Sequence, residues 1–347
     1  VWTAGAVVSG AFFGDKVSPL SDTTNLAPAV TGQNVFDHIK NMMPTTVPAM
    51  LIALTIYVVA GYALIEPADT SFASIERITT RLDQDFQLGL IPLLPALAVL
   101  ILALMKKPPL PSLFAGVLLG ALVAMFYQDA GLHDVFSYAN DGFRTETGIT
   151  EIDTLLNKGG IQSMMWTISL MLIALGFGGA LERTGCLEAI IQAIIARVKS
   201  FAGVQTSAIG TAFATNMVAG DPYISIALPG RMFSPLYRGM GYSTLNLSRA
   251  VEEGGTMMSP LIPWNAGGAF VISALGLGVM EGNLGDLMYI PLSFACWISP
   301  LIGIFYAITG FFSPRASDAE RATWEETGET VMDLGDHALA DSCLLYT

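Results

Sequence analysis

The sequence predicts an all-α polytopic membrane protein built from inverted repeats, with broken transmembrane helices and a re-entrant hairpin. Three observations carry that expectation. The 347 residues are 52% hydrophobic and 13% charged, with a mean hydropathy of +0.56, far from the usage of a soluble domain. Apolar runs near the length that crosses a bilayer, about 20 residues, recur at Met43–Ile65, Leu88–Met105, Pro108–Gln128, Ile161–Leu181 and Tyr289–Phe312. Three more runs, Val1–Val30, Gly203–Tyr237 and Leu247–Leu277, are interrupted by Gly, Pro and polar residues.

The first element, Val1–Val30, contains the stretch GAFFGDKVSPLSDTTN. Pro19 lacks an N–H and clashes with the carbonyl four residues back, so it opens the helix and frees carbonyls at bilayer depth. Such backbone survives only where it lines a polar cavity. Met43–Ile65 follows as a span directed outward. Lys106 and Lys107 put the connector after Leu88–Met105 in the cytoplasm, which leaves the acidic loops 66–87 and 129–160 outside. Ile161–Leu181 returns inward, where Arg183, Arg197 and Lys199 cluster, and Cys186–Ser200 reads as an amphipathic interfacial helix. Arg231, Arg238 and Arg249 require Gly203–Tyr237 to enter and leave from one face, as a hairpin with its tip near Asn216–Pro222. Leu247–Leu277 then crosses outward, and Tyr289–Phe312 brings an acidic tail, 313–347, back to the cytoplasm.

The two broken crossings therefore run in opposite directions, and they also match in sequence. GDKVSPLSDTT (Gly14–Thr24) aligns without gaps on GTMMSPLIPWN (Gly255–Asn265), sharing a glycine and the Ser18-Pro19-Leu20/Ser259-Pro260-Leu261 triplet. Opposed repeats with discontinuous helices are a recurring secondary-transporter architecture. The expected organisation is a membrane domain over 1–312, with 1–65 as the remainder of a first repeat, 88–105 as a linking span and 108–312 as the second repeat. A hairpin is expected before Val1, so the first repeat is expected to be truncated at its N-terminus.

The chemistry sits at the breaks. Carbonyls and side-chain oxygens of Ser18, Asp22, Thr23, Thr24 and Asn25 can replace the hydration shell of a small hard cation. Asp15 and Asp22 add the charge that makes an empty site costly unless a carboxylate takes a proton, and that competition is the core of an antiport cycle. Asn216 and Asp221 at the hairpin tip offer a second amide and carboxylate, and Thr256, Ser259 and Asn265 offer neutral oxygens from the second break. The metal candidates are thus Asp15, Asp22 and Asp221, for a transported sodium ion. Three residues are accessory. Lys16 either neutralises the empty site or extends to the surface, while Glu252 and Glu253 read first as caps of a helix start and second as a proton entry. No resident cofactor is expected. Cys186, Cys296 and Cys343, like His38, His133 and His337, lie too far apart for a disulfide framework or a metal knuckle.

The segments SGAFFGDKVSPLSDTTNLAPA, TNMVAGDPYISIALPGRMF and SPLIPWNAGGAF resemble the signature segments of NhaC-type sodium/proton antiporters, in the ion-transporter superfamily. That resemblance implies sodium/proton exchange across the cell membrane by a multi-pass protein, with further spans N-terminal to this segment. Its partners would be the lipid bilayer, sodium and protons; no nucleic acid is expected of a chain with net charge −13, and a homo-oligomer is compatible. Two alternatives use the same residues. A sodium-coupled malate/lactate exchanger would need an anion-recognising group in the cavity, and the arginines map mostly to the cytoplasmic face. An intramembrane aspartyl protease would pair Gly14-Asp15 with Gly220-Asp221, but the first lacks the extra glycine of that signature and the opposed breaks would have no purpose.

Overall fold

A computed structural model of the chain describes residues 1–19, 21–64, 72–105, 107, 109–149, 152–153, 156–157 and 159–326. Leu20, Lys106, Lys158, part of the 66–87 loop, and the tail from 327 with His337 and Cys343 lie outside the described residues. Among those described, every regular element is helical, apart from one isolated bridge between Tyr242 and Arg315.

The helices are α1 (Trp2–Val17), α2 (Asp22–Thr31), α3 (Val35–Leu64), α4 (Phe72–Asp85), α5 (Leu94–Leu104), α6 (Pro109–Tyr127), α7 (Leu132–Asp141), α8 (Ile161–Arg183), α9 (Cys186–Ile195), α10 (Phe201–Ala219), α11 (Pro222–Gly239), α12 (Leu245–Gly254), α13 (Ala266–Leu275), α14 (Tyr289–Leu292), α15 (Phe294–Thr309) and α16 (Asp318–Glu326). They divide into two compact units: Val1–Val59 with Ser169–Thr347, and Ala60–Ile168. In the second unit α5 packs on α6, where Gly116 meets the Val99 side chain. There Gln87 and Gln128 exchange hydrogen bonds of 3.0 and 2.9 Å. Also in this unit, Asp153 accepts from the amide and the hydroxyl of Thr147, both at 2.7 Å.

Two helices are long and apolar enough to cross a membrane among the described residues, Val35–Ala63 and Leu110–Tyr127. A third span forms only if Leu284–Leu292 and Phe294–Thr309, bent by 41°, count as one. The run 289–312 is therefore not the straight crossing that hydropathy suggests. The chain breaks at Ser293, whose hydroxyl bonds back to the Tyr289 carbonyl at 2.8 Å. The run 88–105 also differs. It begins as a 3-10 turn at Ile91–Leu93 and is α-helical only over Leu94–Leu104, about 16 Å of helix against a hydrocarbon core of about 30 Å. Gly89 and Pro92 precede the α-helix, and Pro95 sits in its first turn, where proline is tolerated.

The first unit contains all three interrupted runs, and each is a helix, a break and a helix. In the first, α1 ends at Ser18 and α2 begins after Ser21, whose hydroxyl accepts from the Thr24 amide. The second is a hairpin. Gly220, at φ 67°, turns the chain out of α10, and Asp221 caps α11 by accepting from the Ile224 amide at 2.9 Å. Its two arms return side by side: at the far end Phe201 meets Tyr237 edge-on at 5.9 Å, and Tyr237 donates to Gln205 at 2.7 Å. In the third, α12 stops at Gly254, a 3-10 turn occupies Ser259–Leu261, and Asn265 caps α13. Close packing sets where α12 lies: a Cβ on Gly254 would stand 2.3 Å from the Ile209 carbonyl of α10, so only glycine permits the approach.

The start of the acidic tail is helical and packed. α16 buries Trp324 beside Arg238, with the guanidinium 5.6 Å from the ring. Glu320 accepts from Gln33 and Ser243, both at 2.6 Å. Just before it, Phe312 adopts φ 45°, and its carbonyl accepts from Arg249 at 3.0 Å.

Candidate functional site

The two breaks and the hairpin tip converge on one cavity of about 590 Å³. Asp15, Asp22 and Thr23 line it from the first break, Thr256 and Ser259 from the second, and Pro222 and Tyr223 from the hairpin. Phe12 and Val8 of α1 and Phe270 and Val271 of α13 form its apolar wall. The ungapped match between the breaks sets Asp15 opposite Thr256 and Ser18 opposite Ser259, so the aligned pair Asp15/Thr256 faces one space.

Asp15 accepts from the Thr23 hydroxyl at 3.5 Å, and the Thr23 hydroxyl lies 3.2 Å from that of Ser21. Asp22 accepts from the Thr23 amide at 2.8 Å and from the Tyr223 hydroxyl of the hairpin. Tyr223 therefore closes one side of the cavity by a polar contact between α2 and α11. A carboxylate pair with hydroxyl neighbours is a donor set suited to sodium, which prefers hard oxygen ligands.

Other candidates serve the walls. Thr24 donates to the carbonyls of Asp15 and Lys16 at 3.0 and 3.3 Å, and the Asn25 amide donates to those of Pro19 and Ser21 at 2.8 and 2.5 Å. The backbone oxygens that sequence reasoning offers as cation ligands are thus already bonded within the first break. The same holds in the second, where Pro260 accepts from Tyr289 at 2.6 Å. Asn25 is exposed, and Ser18 contributes its carbonyl to the Ser21 amide at 3.1 Å; neither lines the cavity.

Asn216 and Asn265 stitch the hairpin to the second break. Asn265 donates to the side-chain oxygen of Asn216 at 2.6 Å, Asn216 donates to the Gly255 carbonyl at 2.6 Å, and the Ser259 hydroxyl donates to Asn265. The Ala266 amide adds a bond of 3.1 Å to the Gly220 carbonyl. Asp221 is buried, and its carboxylate is the α11 cap.

Behind this wall lies a cluster of buried charge. Lys16 does not reach the surface: it is fully buried, 3.6 Å from Glu253, and it donates to Ser299 at 2.9 Å. It also pairs with neither Asp15 nor Asp22. Glu252 and Glu253 occupy the last turn of α12, because the helix starts at Leu245. The capping reading therefore fails: a helix C-terminus disfavours anions, and the countercharge comes from Lys16 and Arg249 instead. Arg249 is itself fully buried. It donates to Phe312 and to the Asn41 carbonyl at 3.4 Å. His38 joins from α3, sharing a 2.8 Å hydrogen bond with Ser248.

Sequence reasoning missed Tyr223, Arg249 and His38. The signal for Arg249 was present: it precedes Glu253 by four residues on a helix flanked by apolar positions, the spacing that places both on one face.

The Na+/H+ antiporter family model matches residues 10–311. The chain belongs to the Na+/H+ antiporter family. It is 40% identical to the Na+/H+ antiporter NhaC of Alkalihalophilus pseudofirmus over 88% of this chain and 64% of that protein. It is 36% identical to NhaC of Bacillus subtilis over 87% of this chain and 65% of that protein. A B. subtilis protein named malate-2H+/Na+-lactate antiporter is 31% identical over 89% and 64% of the two chains. This Na+/H+ antiporter family chain thus spans a little under two thirds of the length of these relatives. The relatives are named as transporters, not as enzymes. No solved structure matches the chain.

Proposed function

We propose that the protein is a secondary antiporter that exchanges sodium for protons across the cell membrane. Asp15 and Asp22 would hold the ion, with Thr23, Thr256 and Ser259 supplying neutral oxygens at the bilayer midplane. The observation that carries this reading is the cavity itself: two helix breaks, matched in sequence, and a hairpin tip supply its polar wall. Relatives named Na+/H+ antiporters support the choice of ions. The finer architecture belongs to the same proposal. α1, α2 and α3 (1–65) form the remainder of one repeat, 88–105 links, and 108–312 forms the inverted second repeat. The α10–α11 hairpin enters and leaves from the cytoplasmic face, and 313–347 lies in the cytoplasm. No resident cofactor takes part.

The cycle follows from electrostatics. A midplane carboxylate pair in low dielectric binds sodium well when ionised and cannot hold it when protonated. Thr24 and Asn25 fix the backbone of the break, so the carboxylates meet the ion without reorganisation. In everted vesicles carrying the full-length protein, Asp15→Asn and Asp22→Asn are each expected to abolish the pH change that sodium elicits while leaving membrane insertion intact. Unchanged exchange in either variant removes that residue from the site.

A second reading rests on the cavity volume, which exceeds what a single dehydrated ion fills and suits a small organic solute. The relative named malate-2H+/Na+-lactate antiporter points the same way. Yet among the described residues no Lys, Arg or His lines it, so an organic anion would enter only with sodium as its counter-ion. Malate-driven proton movement that requires sodium would favour this reading.

A further inference from the structure

A second hollow, of about 250 Å³, lies at the end of α11 opposite the cavity. Arg238 and Gly239 of α11, Gly241 just beyond, and Arg321, Trp324 and Glu325 of α16 line it. α11 runs 18 residues from Pro222, about 27 Å of helix, so this hollow is remote from Asp15 and Asp22.

Two guanidiniums share the small space. Arg238 is held with its guanidinium 5.6 Å from the buried Trp324 ring. Arg321 comes from the other wall, where a Cβ on Gly241 would stand 3.8 Å from its Nη2. Among the described residues the Arg321 guanidinium forms no ion pair, not even with Glu325 at the i,i+4 spacing that favours one. Glu320 is engaged elsewhere, accepting from Gln33, Ser243 and the Ser317 amide. Carbonyls at the end of α11 would repel an anion, but they too are engaged. Leu236, Tyr237 and Arg238 accept from the amides of Met240, Tyr242 and Gly241, and the Met240 carbonyl accepts from Arg315 at 3.1 Å. The lining therefore sets two positive charges against one negative, and the two repel each other unless an anion lies between them.

We infer that this hollow binds a phosphate-type oxyanion, clasped by the guanidiniums of Arg238 and Arg321. A guanidinium fork matches two oxygens of a phosphate, which gives the clasp its chemical preference. Because Arg238 belongs to α11 and Arg321 to α16, the bound anion ties the start of the tail to the hairpin. On the proposed topology this end of α11 meets the cytoplasmic water, where a phosphate comes either from an anionic lipid headgroup or from solution. The site stands independently of what the cavity carries.

Hydrogen exchange of α16 in the full-length protein tests it, because opening that helix must release the anion. The probes are inorganic phosphate added to protein in detergent, and nanodiscs of phosphatidylglycerol compared with phosphatidylcholine, with chloride at equal ionic strength as the control. At a tenfold excess over Kd, phosphate should slow exchange of the Arg321 amide, which bonds to Ser317, by about tenfold. A response to phosphatidylglycerol alone assigns the anion to lipid, and a response to phosphate in detergent assigns it to solution; each supports the site. Arg321→Gln should abolish the response without changing exchange in chloride. Glu325→Gln, which removes the opposing charge, should lower the phosphate concentration at half effect by about threefold or more. A wild type that responds to neither probe overturns the proposal, as does a response that survives Arg321→Gln. Should Arg321→Gln unfold α16, Glu325→Gln decides: a half-effect concentration that stays the same or rises overturns the site.

Discussion

Gly303 and Lys16 show how narrowly the buried charge is fitted. A methyl at Gly303 would collide with the Glu253 carboxylate, so Gly303→Ala is expected to lower thermal stability by about 1–3 kcal/mol, the usual cost of overpacking. Lys16→Met alone strands Glu253 and should cost about 3–5 kcal/mol, whereas Lys16→Met with Glu253→Gln should recover most of it. Thermal unfolding in detergent measures both, and an additive double variant would argue against a direct pair. At this scale the sequence was partly legible. Asp15, Asp22, Thr23, Thr256 and Ser259 stand out as polar residues in apolar runs, and all five line the cavity. The partner of Lys16 was illegible because Glu253 lies 237 positions away in a different helix; no local pattern encodes a contact made only by packing.

Element boundaries explain a second group of differences. The breaks were readable from proline and glycine, whose backbone constraints act locally. Their lengths were not. The first joins α1 to α2 across residues 18–21, while the second runs from 255 to 265 with a 3-10 turn inside it. An acid's meaning depends on which helix end it occupies, so misjudging the start of α12 turned Glu252 and Glu253 into caps. The hairpin tip depends on one side chain more than on its turn. Asn216→Ala removes two buried side-chain hydrogen bonds, one to the Gly255 carbonyl and one from Asn265, which should cost about 1–3 kcal/mol and loosen the tip. Faster hydrogen exchange at Ala266, whose amide bonds to Gly220, would register it; unchanged exchange there would show that the tip holds without Asn216. In the other unit, the bonds from Thr147 hold the Asp153 carboxyl below its ordinary value of 3.8. A depressed carboxylate stabilises the folded loop above that value and loses the effect as pH falls through the lower folded value. Protection of the Thr147 amide should therefore persist at neutral pH and vanish only in strong acid.

For the whole molecule, apolar composition announced a membrane protein, but hydropathy counted more straight crossings than the described helices provide. Windowed averages ignore the short-range geometry at Ser293 or at Gly89 and Pro92, and so cannot tell a span from a bent or shortened helix. If the cavity binds sodium in the folded state alone, sodium stabilises by mass action, about 2.7 kcal/mol at a hundredfold excess over Kd. Full-length protein should melt at a higher temperature in sodium than in an equal concentration of choline, and Asp15→Asn should erase the difference. Equal melting of wild type in both salts would argue against a built cation site.

The left-handed turn at Phe312 has its own consequence. A bulky residue held at φ 45° stores strain, of order 1–2 kcal/mol, and here the distortion aims a carbonyl at Arg249, four residues upstream of Glu253. The chain's exit toward its acidic end is thereby moored to the same helix turn that carries the ionic chamber. Tension applied downstream by a tethered cargo would reach that guanidinium only after the Glu320 and Trp324 anchors of α16 had given way.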